Sequence, residues 1–428
     1  MFKSTSNILR LIERPCSSRT GSFLSATLAQ PHYSRFVSSQ PGPTATLIPD
    51  DSIHLTSPAA YISTSTDPWF NLSYEDWLLR NTSHNQPILF LYRNKTCVVI
   101  GRNQNPWKET TPRKLREWGI PLIRRRSGGG TVYHDMGNTN FSIFLPRLLF
   151  TRSHGAELVA RAIRNRIRVQ QCCVNTRNDI VIRDGINDFK VSTTLYAYSP
   201  PPSPSSSSPS AQFSIDLQVS GSAYKIIQHR AYHHGTMLIS SDTSLLGKAL
   251  KSSSPDMETK GIPSYRSPVT TLSKYSSQPI THEEFVSAVI EEFKDVYGSG
   301  ENMVVKEIQE GEVVEKKVWE GIEEMKSWDW EFGQTPEFSN ILKGRLSFGD
   351  LTVTLSARHA RLTQIHFDLD ESNESENLQA FLQAQSATLI GQKYELLDSI
   401  NLPTDSAYSG HKWRKVSEEI ITWLRTTM

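Results

Sequence analysis

"RRRSGGGTVYHDMGN" (residues 124–138) decides how the rest of the chain is read. Three arginines lead into three consecutive glycines, and Thr-Val-Tyr then opens a β-rich run. Three glycines forfeit side-chain packing and lose much conformational freedom on folding, so a tight turn alone is a poor reason for them. A flexible turn is the plain alternative. An anion is a better reason, because a bare backbone lets successive N–H groups close around a phosphate. No Gly-Lys-Ser/Thr closes the loop, so it is not a Walker A motif. Arg124, Arg125 and Arg126 read either as a solvated face or as a phosphate-contacting patch. His134 and Asp135 are sequence neighbours that diverge on a strand, which favours a turn-stabilising role over an acid–base pair.

Working outward, "NLSYEDWLLRN" (71–81) reads as a helix with Leu72 and Leu79 on one face. "PILFLYR" and "TCVVIGR" are short β-rich runs parted by Asn94-Lys95, which predicts a hairpin. "TPRKLREWG" is punctuated as a helix, with Thr111 as N-cap, Pro112 at its first position and Gly119 past its end. After the glycine loop, "TNFSIFL" reads as a buried strand, "GAELVARAIRNRI" as a long helix and "NDIVIRDG" as a strand. Further on, "THEEFVSAVIEEFKDVYG" opens with a capping box, Thr281 to Glu284, and puts Phe285, Val289 and Phe293 on one face. Residues 344–370 alternate like a meander, and a last amphipathic helix carries Trp413, Ile420 and Leu424. Strands and helices in irregular order predict an α+β (α/β mixed sheet) fold rather than repeated βαβ units.

Composition sets the limits. At 428 residues the chain can form two or three domains. A formal net charge of +2 argues against a generally basic nucleic-acid-binding surface. The four cysteines contain no C-x-x-C pair, which supports neither a disulfide framework nor a zinc site. No apolar run approaches the roughly 18 residues of a membrane span.

Two segments stand apart. Residues 1–40 carry Lys3, Arg10, Arg14, Arg19 and Arg35 against the single acid Glu13 and are rich in serine, which predicts a mitochondrial transit peptide and a matrix location. A linker follows at 41–56. From 199 to 210 every residue is serine or proline, a stretch that cannot bury enough apolar area to offset its ordering entropy. Val-Ser occurs on both sides of it, so residues 193–220 read as a disordered insertion whose deletion would leave "KVSGSAYK".

Taken in order, these pieces resemble the lipoate–protein ligase A family, of mitochondrial, fungal type, within the biotin/lipoate ligase fold. "DPWFNLSYED" (67–76), "CVVIGRNQNPWKE" (97–109), the glycine loop, "NDIVIRDGINDFKVS" with "SGSAYK", "RAYHHGTMLI", "KGIPSYRSPVTTL" and "WDWEFGQTPEFS" (328–339) follow the family's order. The resemblance implies a biotin/lipoate ligase-like catalytic domain at 57–275 and a smaller α+β C-terminal accessory domain at 276–428. It implies Lys190 as the catalytic lysine, reaching both the carboxylate and the α-phosphate. It implies Arg125, Gly128, Gly129, Gly130, Thr131, Val132, Tyr133 and Lys190 around ATP and the adenylate. Around lipoate it implies Lys190, Gly221, Ser222, Ala223, His234 and Gly235, with Asp179 of the Asn178-Asp179 pair helping to hold Mg2+. Lys225 sits where the family tolerates arginine and is the weaker candidate. In the adjacent His233-His234 pair, strand geometry favours a structural role over metal ligation.

The chemistry suits these residue types. A carboxylate attacking the α-phosphate of ATP is anion meeting anion, and one lysine charge at ~4 Å is worth about 4 kcal/mol at an effective dielectric near ~20. Arg125 can add a bidentate clamp, and magnesium would neutralise the departing pyrophosphate. The implied activity is ATP-dependent formation of lipoyl-AMP and transfer to a lysine of lipoyl domains. The implied partners are the acyltransferase subunits of 2-oxoacid dehydrogenases and the glycine cleavage H protein, modified by a monomer that binds no nucleic acid and inserts in no membrane. Two alternatives stand beside it: a transferase of the same fold that uses a preactivated lipoyl or octanoyl donor, and a non-catalytic module that binds lipoyl domains.

Overall fold

The computed structural model describes residues 55–185, 214–298, 303–369, 375–396 and 411–428; the basic N-terminal segment, the Ser/Pro run and Lys190 lie outside them. The first stretch runs β1 (Ala59–Ser63), α1 (Pro68–Asn81), β2 (Ile88–Tyr92), β3 (Cys97–Ile100), α2 (Pro106–Glu109), α3 (Pro112–Glu117) and β4 (Leu122–Arg124). It continues with β5 (Val132–His134), β6 (Asn138–Pro146), α4 (His154–Ala162), β7 (Cys172–Val174) and β8 (Ile180–Gly185). Next come β9 (Ser214–Gln218), β10 (Ser222–Ile226), β11 (Arg230–Leu238), α5 (Thr243–Ala249), β12 (Glu258–Thr259), α6 (His282–Tyr297) and β13 (Val304–Ile308). The last are α7 (Lys316–Lys326), α8 (Trp328–Glu331), β14 (Phe338–Leu346), β15 (Gly349–Arg358), β16 (Arg361–Leu369), α9 (Ser375–Leu389) and α10 (His411–Thr427).

A six-stranded mixed sheet, in the order β10-β11-β6-β2-β1-β13, positions the site. Strand β1 is parallel to both β2 and β13, and the other pairings are antiparallel. Its strands β6 and β11 are buried at every position because both faces are covered. On one face Phe141, Ile143 and Leu145 pack against Leu158 and Val159 of α4 and Phe285, Val289 and Phe293 of α6. On the other, Phe90 and Phe144 meet Phe70, Tyr74 and Leu78 of α1 and Val318 and Ile322 of α7. The period-2 alternation of β6 therefore aims Asn138, Asn140 and Ser142 at the α1 side, a row of buried polar groups on an otherwise apolar strand. Helix α6 begins with the expected capping box: Glu284 N–H donates to Thr281 Oγ1 at 3.1 Å and Thr281 N–H to Glu284 Oε2 at 2.8 Å.

Three sequence expectations are corrected. Strands β2 and β3 do not form a hairpin: β2 lies in the large sheet and β3 in a separate one, ordered β4-β3-β5. Asn94 is instead buried between the sheets, accepting from Asn71 Nδ2 at 2.9 Å. Asn-Lys lacks the glycine that a tight two-residue turn favours, so tertiary bonds decide its course. Residues 214–218, expected within the disordered insertion, form β9 and pair antiparallel with β8. Alternation of Ile215, Leu217 and Val219 with Asp216 and Gln218 is the strand signal in this stretch.

The boundary at 275/276 also fails to separate the two lobes. Helix α6 packs on the large sheet, β13 is an edge strand of that sheet, and Ser73 Oγ of α1 donates to Val318 O of α7 at 2.6 Å. The second lobe begins later, with β14–β16, α9 and α10, and β12 from the first lobe pairs with β14. One apolar core joins Val353, Leu355, Phe367, Ile420 and Leu424 to Val98, Ile100, Trp107 and Leu115 of the first lobe.

Candidate active site

The site lies where the glycine loop crosses the α1 side of the large sheet. Helix α1 starts cleanly, with Asp67 capping Phe70 N–H at 2.8 Å and Pro68 in its first turn. This helix brings Glu75 onto the polar row of β6 and β11. Glu75 Oε1 accepts from Ser142 Oγ at 2.5 Å and from His234 Nδ1 at 2.9 Å. The other ring nitrogen, His234 Nε2, lies 2.8 Å from Ser127 Oγ, which itself accepts from Arg125 Nε at 2.9 Å. A carboxylate only accepts, so His234 Nδ1 carries the proton it donates to Glu75, while Nε2 is hydrogen-bonded to the Ser127 hydroxyl. A continuous hydrogen-bonded chain thus links Arg125, Ser127, His234 and Glu75, all of them buried.

Burial pushes the Glu75 carboxyl up, but His234, Ser142 and Tyr232 outweigh it and hold the group below its usual range. The same burial lowers Arg125 to about 10, opposed by Tyr232, Glu75 and Tyr92, so it remains a cation at neutral pH. Buried charges survive only when paired and hydrogen-bonded, which is the state of both ends of this chain.

Arg125 is not free to clamp a ligand through all its donors. Besides Ser127, its Nη1 donates to Val99 O at 3.2 Å and its Nη2 to Gly128 O at 2.6 Å. It therefore holds the glycine loop from beneath. Gly129, at φ +89°, closes over it: a Cβ there would lie 2.8 Å from Arg125 Nη2 and 2.9 Å from Ala223 Cβ. At the loop's exit, Thr131 N–H donates to Ser264 Oγ at 2.8 Å and Thr131 Oγ1 to Gln104 Oε1 at 3.0 Å.

A cavity opens between this loop and strands β10 and β11. Of the residues expected around the adenylate, Arg125, Gly130, Thr131 and Val132 line it; of those expected around lipoate, Gly221, Ser222, Ala223, His234 and Gly235 do. Gly128, Gly129 and Tyr133 are not among its walls. Strand alternation explains Tyr133: Val132 and His134 face the cavity, and the tyrosine packs into the core shared with the second lobe. Lys190 lies outside the described residues. Lys225 is engaged away from the cavity, donating to Asp76 Oδ1 at 2.5 Å.

The arginine run is not a solvated face. Arg124 is fully buried and donates to Glu331 O, Gly101 O, Arg102 O, Gln104 O and Thr335 Oγ1. Arg126 pairs with Glu324 at 2.6 Å and lies 4.7 Å over the Trp330 ring. His233, as its neighbour relation suggests, points to the opposite face, against Gly155, and burial drives it down to about 3. Asp135 stabilises the turn, accepting from Gly137 N–H at 2.9 Å and Asp242 N–H at 2.9 Å. Its neighbour His134 faces the cavity, bonded to Asn94 Nδ2 at 3.0 Å; burial first, then Arg125 and His234, hold it at about 3 and so neutral.

Asp179 lines the cavity with Arg177, whose Nη2 donates to Asp179 Oδ2 at 2.6 Å, while Ser222 Oγ donates to Oδ1 at 3.1 Å. Asn178, between Arg177 and Asp179 and in the left-handed conformation at φ +65°, is not among the cavity's walls. No group of three or more acidic, histidine or cysteine side chains able to hold a metal occurs among the described residues. A single carboxylate suits a magnesium ion held mainly by substrate phosphates, and does not suit a resident metal cage. Residues missed by sequence reading are Glu75, Tyr92, Ser127, Asn140, Arg177, Ser264 and Tyr265. Only the polar row Asn138, Asn140, Ser142 inside an apolar strand gave a local signal for any of them.

Comparison with known proteins agrees with this geometry. The lipoyl protein ligase A/B catalytic domain matches residues 67–294. Lipoate-protein ligase A of Psychrobacter cryohalolentis is 31% identical over 315 residues, covering 73% of this chain and 83% of its own. That of Blochmanniella floridana is 29% identical over 366 residues, 86% of this chain and 97% of its own. Among solved structures, P. falciparum LipL1 in complex with lipoate superposes with a TM-score of 0.51 at 24% identity, over 86% of this chain and 99% of its own, a likeness of fold. The chain belongs to the lipoyl protein ligase A/B family, as a homologue of lipoate-protein ligase A.

Proposed function

We propose that the protein is an ATP-dependent lipoate–protein ligase of the mitochondrial matrix. The observation that carries the reading is one cavity walled on one side by the glycine loop, Gly130 to Val132, and on the other by Gly221 to Ala223 with His234 and Gly235. In the first half-reaction the lipoate carboxylate attacks the α-phosphorus of ATP, the bond to pyrophosphate breaks, and lipoyl-AMP remains. Lys190 is assigned the charge between carboxylate and α-phosphate that relieves their repulsion. Arg125, locked to Ser127 and Gly128, fixes the loop so that Gly130 and Thr131 meet the nucleotide without reorganising. Asp179 would hold the magnesium ion, which supplies positive charge to the phosphates. In the second half-reaction a lysine amine of a lipoyl domain attacks the acyl carbon and AMP leaves.

The proposed partners are lipoyl domains of 2-oxoacid dehydrogenase acyltransferase subunits and the glycine cleavage H protein, with the enzyme acting as a monomer. The excess of Lys and Arg over acids within residues 1–40 supports import. N-terminal sequencing of the mature protein tests it: removal of residues up to the region of Arg35 to Ser39 is expected, and an intact Met1 in a cytosolic fraction contradicts it. Lipoate-dependent pyrophosphate release from ATP tests the adenylation step. A protein that releases none, yet transfers the acyl group from synthetic lipoyl-AMP, is a transferase fed with a preactivated donor.

A further inference from the structure

The cavity is lined by polar groups, among them Arg177, Asp179 and Ser222, which bond to one another, and by the apolar side chains Leu72, Tyr92, Val99 and Val132. Asn140 lies in the floor of the cavity, between Tyr92 of β2 and Thr236 of β11 in the strand register. It is 3% exposed. Asn138 Nδ2 donates to Asn140 Oδ1 at 3.0 Å, while Asn138 Oδ1 and Asn140 Nδ2 both have no partner among the described residues. Its strand neighbours are already engaged: the Tyr92 hydroxyl with Glu75, and Thr236 Oγ1 with Gly221 N–H at 2.9 Å.

A buried amide donor left without an acceptor is costly, and a carbon chain laid over it cannot relieve the cost. A ligand that brings a lone pair to that point is preferred over one of the same shape that does not. We propose that Asn140 is a specificity-determining residue, whose free amide N–H meets a ring sulfur of lipoate and so selects the dithiolane-bearing acid over straight-chain acids such as octanoate. This rests on the ligase reading. Sulfur is a weak acceptor, so the discrimination is expected to be about tenfold rather than the thousands seen with hydroxyl groups.

The test is calorimetric binding of three acids to the full-length protein and to Asn140→Leu. The acids are lipoate, octanoate, and the carbocyclic analogue of lipoate in which both ring sulfurs are methylenes. Wild type should bind lipoate about tenfold more tightly than the carbocycle. Asn140→Leu should bring the two within about twofold, by gaining affinity for the carbocycle and octanoate. Equal wild-type affinity for lipoate and the carbocycle overturns the proposal, as does a variant that weakens all three acids alike. The wild-type comparison decides the matter alone if Asn140→Leu does not fold, and Asn140→Thr then serves as the second variant. Discrimination without lipoate-dependent pyrophosphate release would sink the ligase reading and leave the role of Asn140 standing. A wild type that binds none of the acids sinks both.

Discussion

Arg124→Ala is the substitution on which sequence and structure disagree most sharply. Read from the sequence, Arg124 belongs to a run that is either a solvated face or a phosphate-contacting patch, in which the family resemblance gives a role to Arg125 alone. In the fold it is fully buried, and it ties the strand before the glycine loop to the segment that leads into the second lobe. Its firm bonds run to Gln104 O at 2.7 Å, Glu331 O at 2.8 Å, Thr335 Oγ1 at 3.0 Å and Arg102 O at 3.1 Å. Burying the guanidinium is itself costly, and burial lowers its affinity for a proton to about 9. Relief of that cost partly offsets the loss, leaving about 1 kcal/mol for each of the four bonds. The expected destabilisation is therefore about 3–5 kcal/mol, with a cavity where the side chain stood. Urea unfolding of Arg124→Ala against wild type measures it, and Arg124→Lys, which can reach only some of the acceptors, should fall between them. A loss below about 1 kcal/mol for Arg124→Ala would refute the claim that this arginine is a structural tie.

Gly129→Ala should cost about 1–3 kcal/mol from its left-handed backbone alone and also weaken ATP binding, because the new Cβ meets Arg125 Nη2 and Ala223; thermal shift with and without ATP measures both effects. Lys190→Ala should slow lipoate-dependent pyrophosphate release by roughly 10²–10³-fold, or ~3–4 kcal/mol, with little change in melting temperature. His134 and His233 are held at about 3 in the fold by burial, below the ordinary histidine value of about 6.5. Between those values the unfolded chain binds more protons, so stability is full above pH ~6.5 and falls as the pH drops, by about 3 kcal/mol per unit for the two together. Stability that stays flat from pH 7 to pH 5 would contradict their burial as neutral rings.

Much of the fold was legible because it rests on local chemistry. The capping box at Thr281, the alternation of residues 344–370 and the face of Phe285, Val289 and Phe293 need no tertiary information to be read. Asn94-Lys95 misled because a two-residue gap between apolar runs looks the same whether the strands pair or part into separate sheets. The lobe boundary misled for a related reason: β13 completes a sheet begun some 240 residues earlier, a pairing that no local pattern encodes. In the site, the glycine loop carried its own signal, whereas Gly221, Ser222 and Ala223 were placed only by the family resemblance. Glu75, Ser127 and Arg177 carried none, since a buried carboxylate on a helix becomes visible only when His234 is seen 2.9 Å away. Tyr133, drawn to the site by its motif, has its side chain packed by the pleat into the core shared with the second lobe.

The intact mass of an apo lipoyl domain, incubated with the protein, lipoate and MgATP, tests the ligase function most directly. An ATP-dependent ligase adds one lipoyl group to the acceptor lysine, only when ATP and lipoate are both present, and Lys190→Ala slows the addition. A lipoyl domain that stays at its apo mass with both substrates, in the presence of folded protein, would contradict it.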